Sequence, residues 1–222
     1  SFVHLHNHSH FSLLDGLPKI DAMVRRARDL GMPAVALTDH GVLYGAVEFY
    51  QKARAAGVKP IIGIETYLAR NSLTDKQAKV DDRPFHLILL AKNFTGYKNL
   101  IKLSTLSHLE GFYYKPRIDR AALEQYHEGL ICLTSCLNGH IPTLLLSNRW
   151  DEAREATVWY KNIFGDDFYL ELQYHPTLPQ QATLNDALIR LGRETNTELV
   201  ATNDCHYLTE DDAEAQDILL CI

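Results

Sequence analysis

The chain contains no stretch approaching the roughly 18 uninterrupted apolar residues of a membrane span. Its first residues also lack the basic-then-apolar order of a secretory signal. Cysteine is sparse: Cys132, Cys136, Cys205 and Cys221 do not make a disulfide framework for 222 residues, and a reducing cytoplasm is the expected setting. Positive charge is short as well. With 22 Lys+Arg against 28 Asp+Glu the formal net charge is −6, which argues against nucleic-acid binding through basic patches. No glycine-rich loop ends in Gly-Lys-Ser/Thr, no Gly-x-Gly-x-x-Gly follows an apolar run, and no Gly-x-Ser-x-Gly elbow occurs. P-loop, dinucleotide-binding and α/β-hydrolase chemistry therefore find no support. Apolar residues at 46% and charged residues at 23% exclude a disordered or low-complexity chain. What the sequence does have in quantity is histidine, eleven in all.

Short apolar runs alternate with amphipathic stretches, the pattern of an α/β domain. Seven runs read as strands: Phe2–Leu5, Ala34–Thr38, Ile61–Leu68, Phe85–Ala91, Leu130–Thr134, Phe168–Gln173 and Glu198–Thr202. They lack strict polar alternation, as strands covered on both faces do, so a parallel sheet is expected. Helices are predicted after Pro18 up to Gly31 and over 45–56, 96–109, 120–126, 150–163 and 180–195. The polar segment 70–84 reads as an exposed loop, and 111–118 (Gly-Phe-Tyr-Tyr-Lys-Pro-Arg-Ile) as an aromatic and basic connection. Seven β/α units without an internal linker favour one barrel-like domain over 1–222. The chain starts with Ser and stops in an amphipathic stretch, which reads as a fragment of something longer.

The densest chemical signal is His4-Leu-His6-Asn-His8-Ser-His10, at the end of the first run. Strand residues two apart share a face with side chains roughly 6–7 Å apart, so His-x-His can converge on one ion. Metal-competent residues follow the other runs. Asp15 comes after the first, Asp39-His40 ends the second, Glu65 interrupts the apolar third, and His86 lies in the fourth. Cys136 follows the fifth and Asp204-Cys205-His206 the last. A carboxylate inside an apolar strand is costly unless a cation accompanies it. In a parallel barrel the C-terminal strand ends meet on one face, where all these groups would cluster. Cys132 reads as core filler.

These motifs, in the order His6-Asn-His8-Ser, Thr38-Asp39-His40-Gly, Glu65, His86, Cys136 and Asn203-Asp204-Cys205-His206, resemble those of the PHP (polymerase and histidinol phosphatase) superfamily. The phrases over 11–16, 45–50, 57–63 and 111–119 narrow the resemblance to the N-terminal PHP domains of bacterial replicative DNA polymerase III alpha subunits. The resemblance implies a distorted seven-stranded (β/α)7, TIM-like barrel. It also implies up to three divalent ions (Zn, Mn or Fe) on His6, His8, Asp15, His40, Glu65, His86, Cys136, Asp204 and His206. In that scheme Glu65 bridges two ions, with His86 and Cys136 completing one. His6, His8 and Asp204 hold the neighbouring ion, and Asp15, His40 and His206 the third. Many relatives carry Asp where this chain has His4, which is left without a role. Asp39 reads as an orienting partner for a ligand imidazole.

The implied activity is 3′→5′ exonucleolytic proofreading, with Glu65, Asp204, His206 and Asp39 as the catalytic group. The implied partners are the 3′ end of a DNA primer strand, the remainder of the polymerase subunit and other replisome subunits, with no membrane contact. Divalent ions would offset the acidic balance where the phosphate binds. Two other readings stand beside it: a small-molecule phosphatase of the histidinol-phosphatase type, and a metal-stabilised structural module. Tyr113, Tyr114, Lys115 and Arg117 read as loop packing before DNA contact. Glu171 and His175 lie near the sixth run's end without a place in the ligand pattern, and His108, His127 and His140 read as ordinary polar residues.

Overall fold

Apolar residues recurring on alternate sides of each strand have to be covered twice, once inside a curled sheet and once beneath a layer of helices. The computed structural model describes residues 2–222 and has this arrangement. The strands are β1 (Ala34–Leu37), β2 (Lys59–Leu68), β3 (Phe85–Ala91), β4 (Phe112–Tyr113), β5 (Lys115–Ile118), β6 (Leu130–Leu133), β7 (Phe168–Gln173) and β8 (Leu199–Thr202). The helices are α1 (Ile20–Asp29), α2 (Ala46–Ala55), α3 (Phe94–Leu109), α4 (Arg120–Tyr126), α5 (His140–Leu146), α6 (Trp150–Phe164), α7 (Pro179–Thr195) and α8 (Ala213–Leu220). Among the described residues no helix is long and apolar enough to cross a membrane.

The sheet runs β4-β5-β2-β3-β6-β7-β8, and β1 pairs with the first half of β2 while β5 pairs with its end. The result is an α/β, TIM-like half-barrel, as expected, with three local departures. First, Phe2–Leu5 is not a strand. The segment instead joins the curled sheet through single bonds: Ala36 N donates to His4 O and Thr38 N to Asn7 O on one side, and His8 N donates to Cys205 O on the other. Second, β3 is antiparallel to both β2 and β6, so the sheet is mixed rather than parallel. Third, the 111–118 connection forms the hairpin strands β4 and β5. The short helix α5 was not anticipated, being only seven residues with Pro142 in its first turn.

The alternation assigns each side of the strands. Leu87, Leu89, Ile64, Leu68, Cys132, Phe168 and Leu170 pack outward against α3, α6 and α7 residues such as Leu100, Leu103, Tyr160 and Leu188. Inside, Ala36, Ile88, Leu90 and Leu133 form an apolar plug with Leu5, Ile61, Ile131, Tyr169 and Val200. Gly63 lets β3 approach β2 closely, since a Cβ there would lie 2.5 Å from Leu90 Cδ2. The next inward positions beyond the plug are Glu65, His86, Glu171 and Thr202. Because β3 is reversed, His86 reaches this layer from the start of its strand, whereas Glu65 and Glu171 reach it near the ends of theirs.

The 70–84 segment is tied down rather than free. Arg117 is fully buried and donates to the carbonyls of Gly111, Leu73, Asp75 and Asp81. A side chain so enclosed does not reach DNA. Tyr113 and Tyr114 stack edge to face beside it.

Candidate metal centre

The nine sequence-derived candidates converge in one layer above the apolar plug. His6 and His8 project from the N-terminal segment, and their Nε2 atoms lie 3.0 and 3.2 Å from Asp204 Oδ1. Glu65 sits between the groups. Its Oε1 is 2.9 Å from His86 Nδ1 and 3.5 Å from His6 Nε2, while Oε2 is 2.6 Å from His40 Nδ1 and 3.4 Å from His8 Nε2. Asp15 Oδ2 lies 2.6 Å from His40 Nε2 and 3.1 Å from His206 Nε2. Cys136 Sγ is 3.7 Å from His86 Nδ1. Three sets have donor atoms within 4.8 Å of one another: His6-His8-Asp204, His40-Glu65-His86 and His8-His40-His206. The first matches one group of the family scheme. In the other two, His40 and His8 are shared across groups that the scheme kept separate.

Burial and charge make the cluster expensive without a cation. His6 and His8 are wholly buried and Glu65 almost so. His6 Nε2, His8 Nε2, His40 Nδ1, Glu65 Oε2 and Asp204 Oδ1 are buried and face one another at 2.6–3.4 Å without a well-directed hydrogen bond. Buried polar atoms so poorly matched are rare in folded proteins, and this set has the donor chemistry of a divalent-ion site. Burial opposes a charge on Glu65, but His86, His40 and His6 outweigh it and hold the carboxyl well below its usual range. Asp204 and Asp15 are likewise lowered, against burial, by their histidine neighbours. Burial and His40 push His8 down to about 4, leaving its imidazole neutral. Burial lowers His6 and His40 too, yet adjacent carboxylates raise His6 well above its ordinary value and His40 to about 10. Burial raises Cys136 strongly, helped by Glu65 and Asp204. In all, the carboxylates keep their negative charge inside the barrel, balanced only by protons that a metal ion can displace.

A surrounding layer fixes the imidazoles. Glu171 is buried and accepts from Ser135 N at 3.0 Å, Gln173 Nε2 at 3.0 Å and the Thr202 hydroxyl. Its Oε1 is 2.7 Å from His6 Nδ1, so that nitrogen donates and Nε2 is the one that would face an ion once its proton is displaced. From sequence, Glu171 stands near the site at the sixth run's end but has no match in the ligand pattern. The signal was the one that exposed Glu65, a carboxylate within an apolar strand. Asp39 touches no imidazole directly. It accepts from Ser9 N, Ser9 Oγ and Ser12 Oγ at 2.7, 2.8 and 2.7 Å. Ser12 spends its only proton on Asp39, so its oxygen, 2.9 Å from His8 Nδ1, accepts from that ring. Asp39 thus orients His8 through Ser12 and is a positioning residue. Ser135 and Asp204 adopt left-handed backbone (φ 64° and 51°) at the ends of their strands, which turns Ser135 Oγ to within 2.7 Å of Glu65 and Asp204 toward His6.

His175 lines a cavity together with Asp15, Asp204 and His206, whereas His4, His108, His127 and His140 stand apart from the cluster. His4 Nδ1 lies 3.6 Å from Cys205 Sγ, whose thiol burial pushes up to about 11. His108 meets Gly41 O, and His127 meets Glu124 O. His140 packs on Phe85 and Tyr160.

Comparison with known proteins gives a consistent picture. A profile of the PHP domain matches residues 4–175. The chain is 52% identical over its full length to a protein named DNA polymerase III subunit alpha from Borreliella burgdorferi, of which it covers 19%. It is 48% identical over its full length to the protein of the same name from Aquifex aeolicus, of which it covers 20%. The chain therefore spans about a fifth of the length of these curated relatives. A crystal structure from Bifidobacterium adolescentis, titled as a candidate metal-dependent phosphoesterase, superposes with a TM-score of 0.61 at 12% identity, covering 98% of this chain and 96% of that one. At that identity the likeness is one of fold.

Proposed function

This chain belongs to the PHP domain family, and from that premise we propose that it is a metal-dependent phosphoesterase acting as a 3′→5′ exonuclease on DNA. The chain is read as one PHP domain of a longer replicative polymerase subunit, whose remainder would be its nearest partner. The observation that carries the catalytic reading is the set of five buried nitrogen and carboxylate oxygen atoms that face one another without a well-directed hydrogen bond. A structural module without bound cations would have no need to hold ionised Glu65 and Asp204 there.

His6, His8, Glu65 and Asp204 would hold one ion, His86 and Cys136 would join Glu65 around a second, and Asp15, His40 and His206 would take a third. Divalent ions in such positions neutralise the phosphate and make water acidic enough to attack it near neutral pH. The chain supplies the rest. Glu65 Oε1 lies near both His6 and His86, one from each of the first two sets, so this carboxylate would be shared between them. His6 and His8 close the interior side to solvent. The side chains of Asp15 and His206 are 29% and 21% exposed, which puts the entry for the phosphodiester on their side. Water attacks phosphorus, the penultimate nucleotide's 3′ oxygen leaves and takes up a proton, and a nucleoside 5′-monophosphate is released. Glu65, Asp204 and His206 are assigned as the catalytic residues.

The test is a 5′-labelled single-stranded oligonucleotide incubated with Mn²⁺ beside a parallel assay of histidinol phosphate. The exonuclease reading expects a ladder shortening from the 3′ end and slow or absent phosphate release from histidinol phosphate. The reverse pattern would establish the small-molecule phosphatase instead.

A further inference from the structure

The metal layer opens to solvent through a cavity of about 430 Å³ with Asp15, Asp204 and His206 on its floor. Two tyrosines, Tyr174 and Tyr207, stand in its walls. Tyr174 is the first residue after β7 and is 74% exposed; Tyr207 adjoins His206 and is 40% exposed. Neither ring is required by the core. Asn203 and Gln216 bring amide groups to the same space, and Gln216, although buried, leaves its Oε1 without a partner. The volume suits a small ligand.

We propose that this cavity is the subsite for the 3′-terminal nucleotide, with its base held against Tyr174 and Tyr207 while its phosphate lies over Asp15, Asp204 and His206. The inference rests on the nuclease reading of the metal layer. Two open aromatic rings beside a phosphoryl centre match a nucleotide, whose flat base and charged phosphate are separated by one sugar. Stacking is indifferent to base identity because every base presents a π face. That indifference is what an enzyme removing any terminal nucleotide requires. Both rings sit one residue beyond parts of the site framework, Tyr174 after Gln173 and Tyr207 after His206, so their distance from the ligands is set by backbone.

Binding and turnover provide separate tests on the full-length protein that carries this chain. By calorimetry, thymidine 5′-monophosphate is expected to bind about tenfold more tightly than 2-deoxyribose 5-phosphate. Tyr174→Ala and Tyr207→Ala should shrink that ratio toward one, and Tyr174→Phe and Tyr207→Phe should restore it. In turnover, an oligonucleotide ending in an abasic residue should show a KM about tenfold above that of one ending in thymidine, a difference lost in the alanine variants. Equal binding of the two monophosphates by the native protein would overturn the subsite even if DNA is shortened. So would a ratio unchanged in both alanine variants. A ratio that behaves as expected while DNA stays intact would uphold the subsite and refute the nuclease reading.

Discussion

Asp204 shows how much a single side chain can be asked to do. Its Oδ1 lies between His6 and His8, and its backbone is left-handed at φ 51°. Asparagine tolerates that conformation and keeps the shape while removing the charge. Asp204→Asn is therefore expected to lower the exonuclease rate by at least about a hundredfold, with circular dichroism unchanged; a loss of helical signal would mean that the charge maintains the fold instead. The orienting residues act at one remove. Ser12→Ala removes the acceptor that keeps His8 Nδ1 protonated, and Glu171→Gln weakens the corresponding bond to His6. Each should reduce metal affinity by about 10-fold or more, read by competition with a chromogenic chelator, and an unchanged affinity would assign these groups to folding alone. The nine ligand candidates were legible because histidine, carboxylate and cysteine at strand ends have few reasons to recur without a cation. Ser12, Ser135 and Gln173 were not, since a hydroxyl or amide beside a strand looks the same whether it faces a ligand or solvent.

At the scale of elements, Arg117 and β3 matter most. Arg117 gathers four carbonyls from two segments, which is why the charged 70–84 stretch lies packed and not free. Arg117→Met would bury those acceptors without donors, at about 1–3 kcal/mol for each one that cannot reach water. It should lower stability by about 3 kcal/mol or more and open 70–84 to limited proteolysis, whereas unchanged cleavage would show that the loop holds itself. The reversal of β3 was hidden in the sequence, because a strand covered on both faces reads the same in either direction. Its consequence is nonetheless visible in His86, which stands at the start of its run while Glu65 stands near the end of its own. The segment Phe2–Leu5 reads as a strand for a related reason: a short apolar run looks the same whether it joins a ladder or makes only isolated bonds, as it does here.

His140 on α5 gives a pH signature independent of the metal layer. Burial, reinforced by Arg120, Arg70 and Arg149, lowers it to about 4. The folded state thus holds a neutral ring that the unfolded chain protonates below about 6.5. Its contribution is complete above that pH and is lost as pH falls toward 4. Compared with His140→Gln, the native protein should lose on the order of 2–3 kcal/mol more between pH 7 and 4, measured by urea unfolding; parallel curves would show that the ring is already charged in the fold.

For the whole molecule, the barrel separates two kinds of interior. Ile88, Leu90, Leu133 and their neighbours make an apolar plug, and directly above it ionised carboxylates and imidazoles occupy equally buried positions. Such a layer is favourable only when cations complete it, so chelation should lower the thermal midpoint by about 5–10 °C and readdition of the ion should restore it. A midpoint indifferent to chelation would mean that protons alone suffice. The most direct measurement is anomalous diffraction from crystals soaked in Mn²⁺ or Zn²⁺. The account predicts peaks between Asp204 and the Nε2 atoms of His6 and His8 and beside Glu65, at roughly 2.0–2.2 Å from the nitrogen and oxygen donors. Density for all nine side chains with no anomalous peak among them would contradict it.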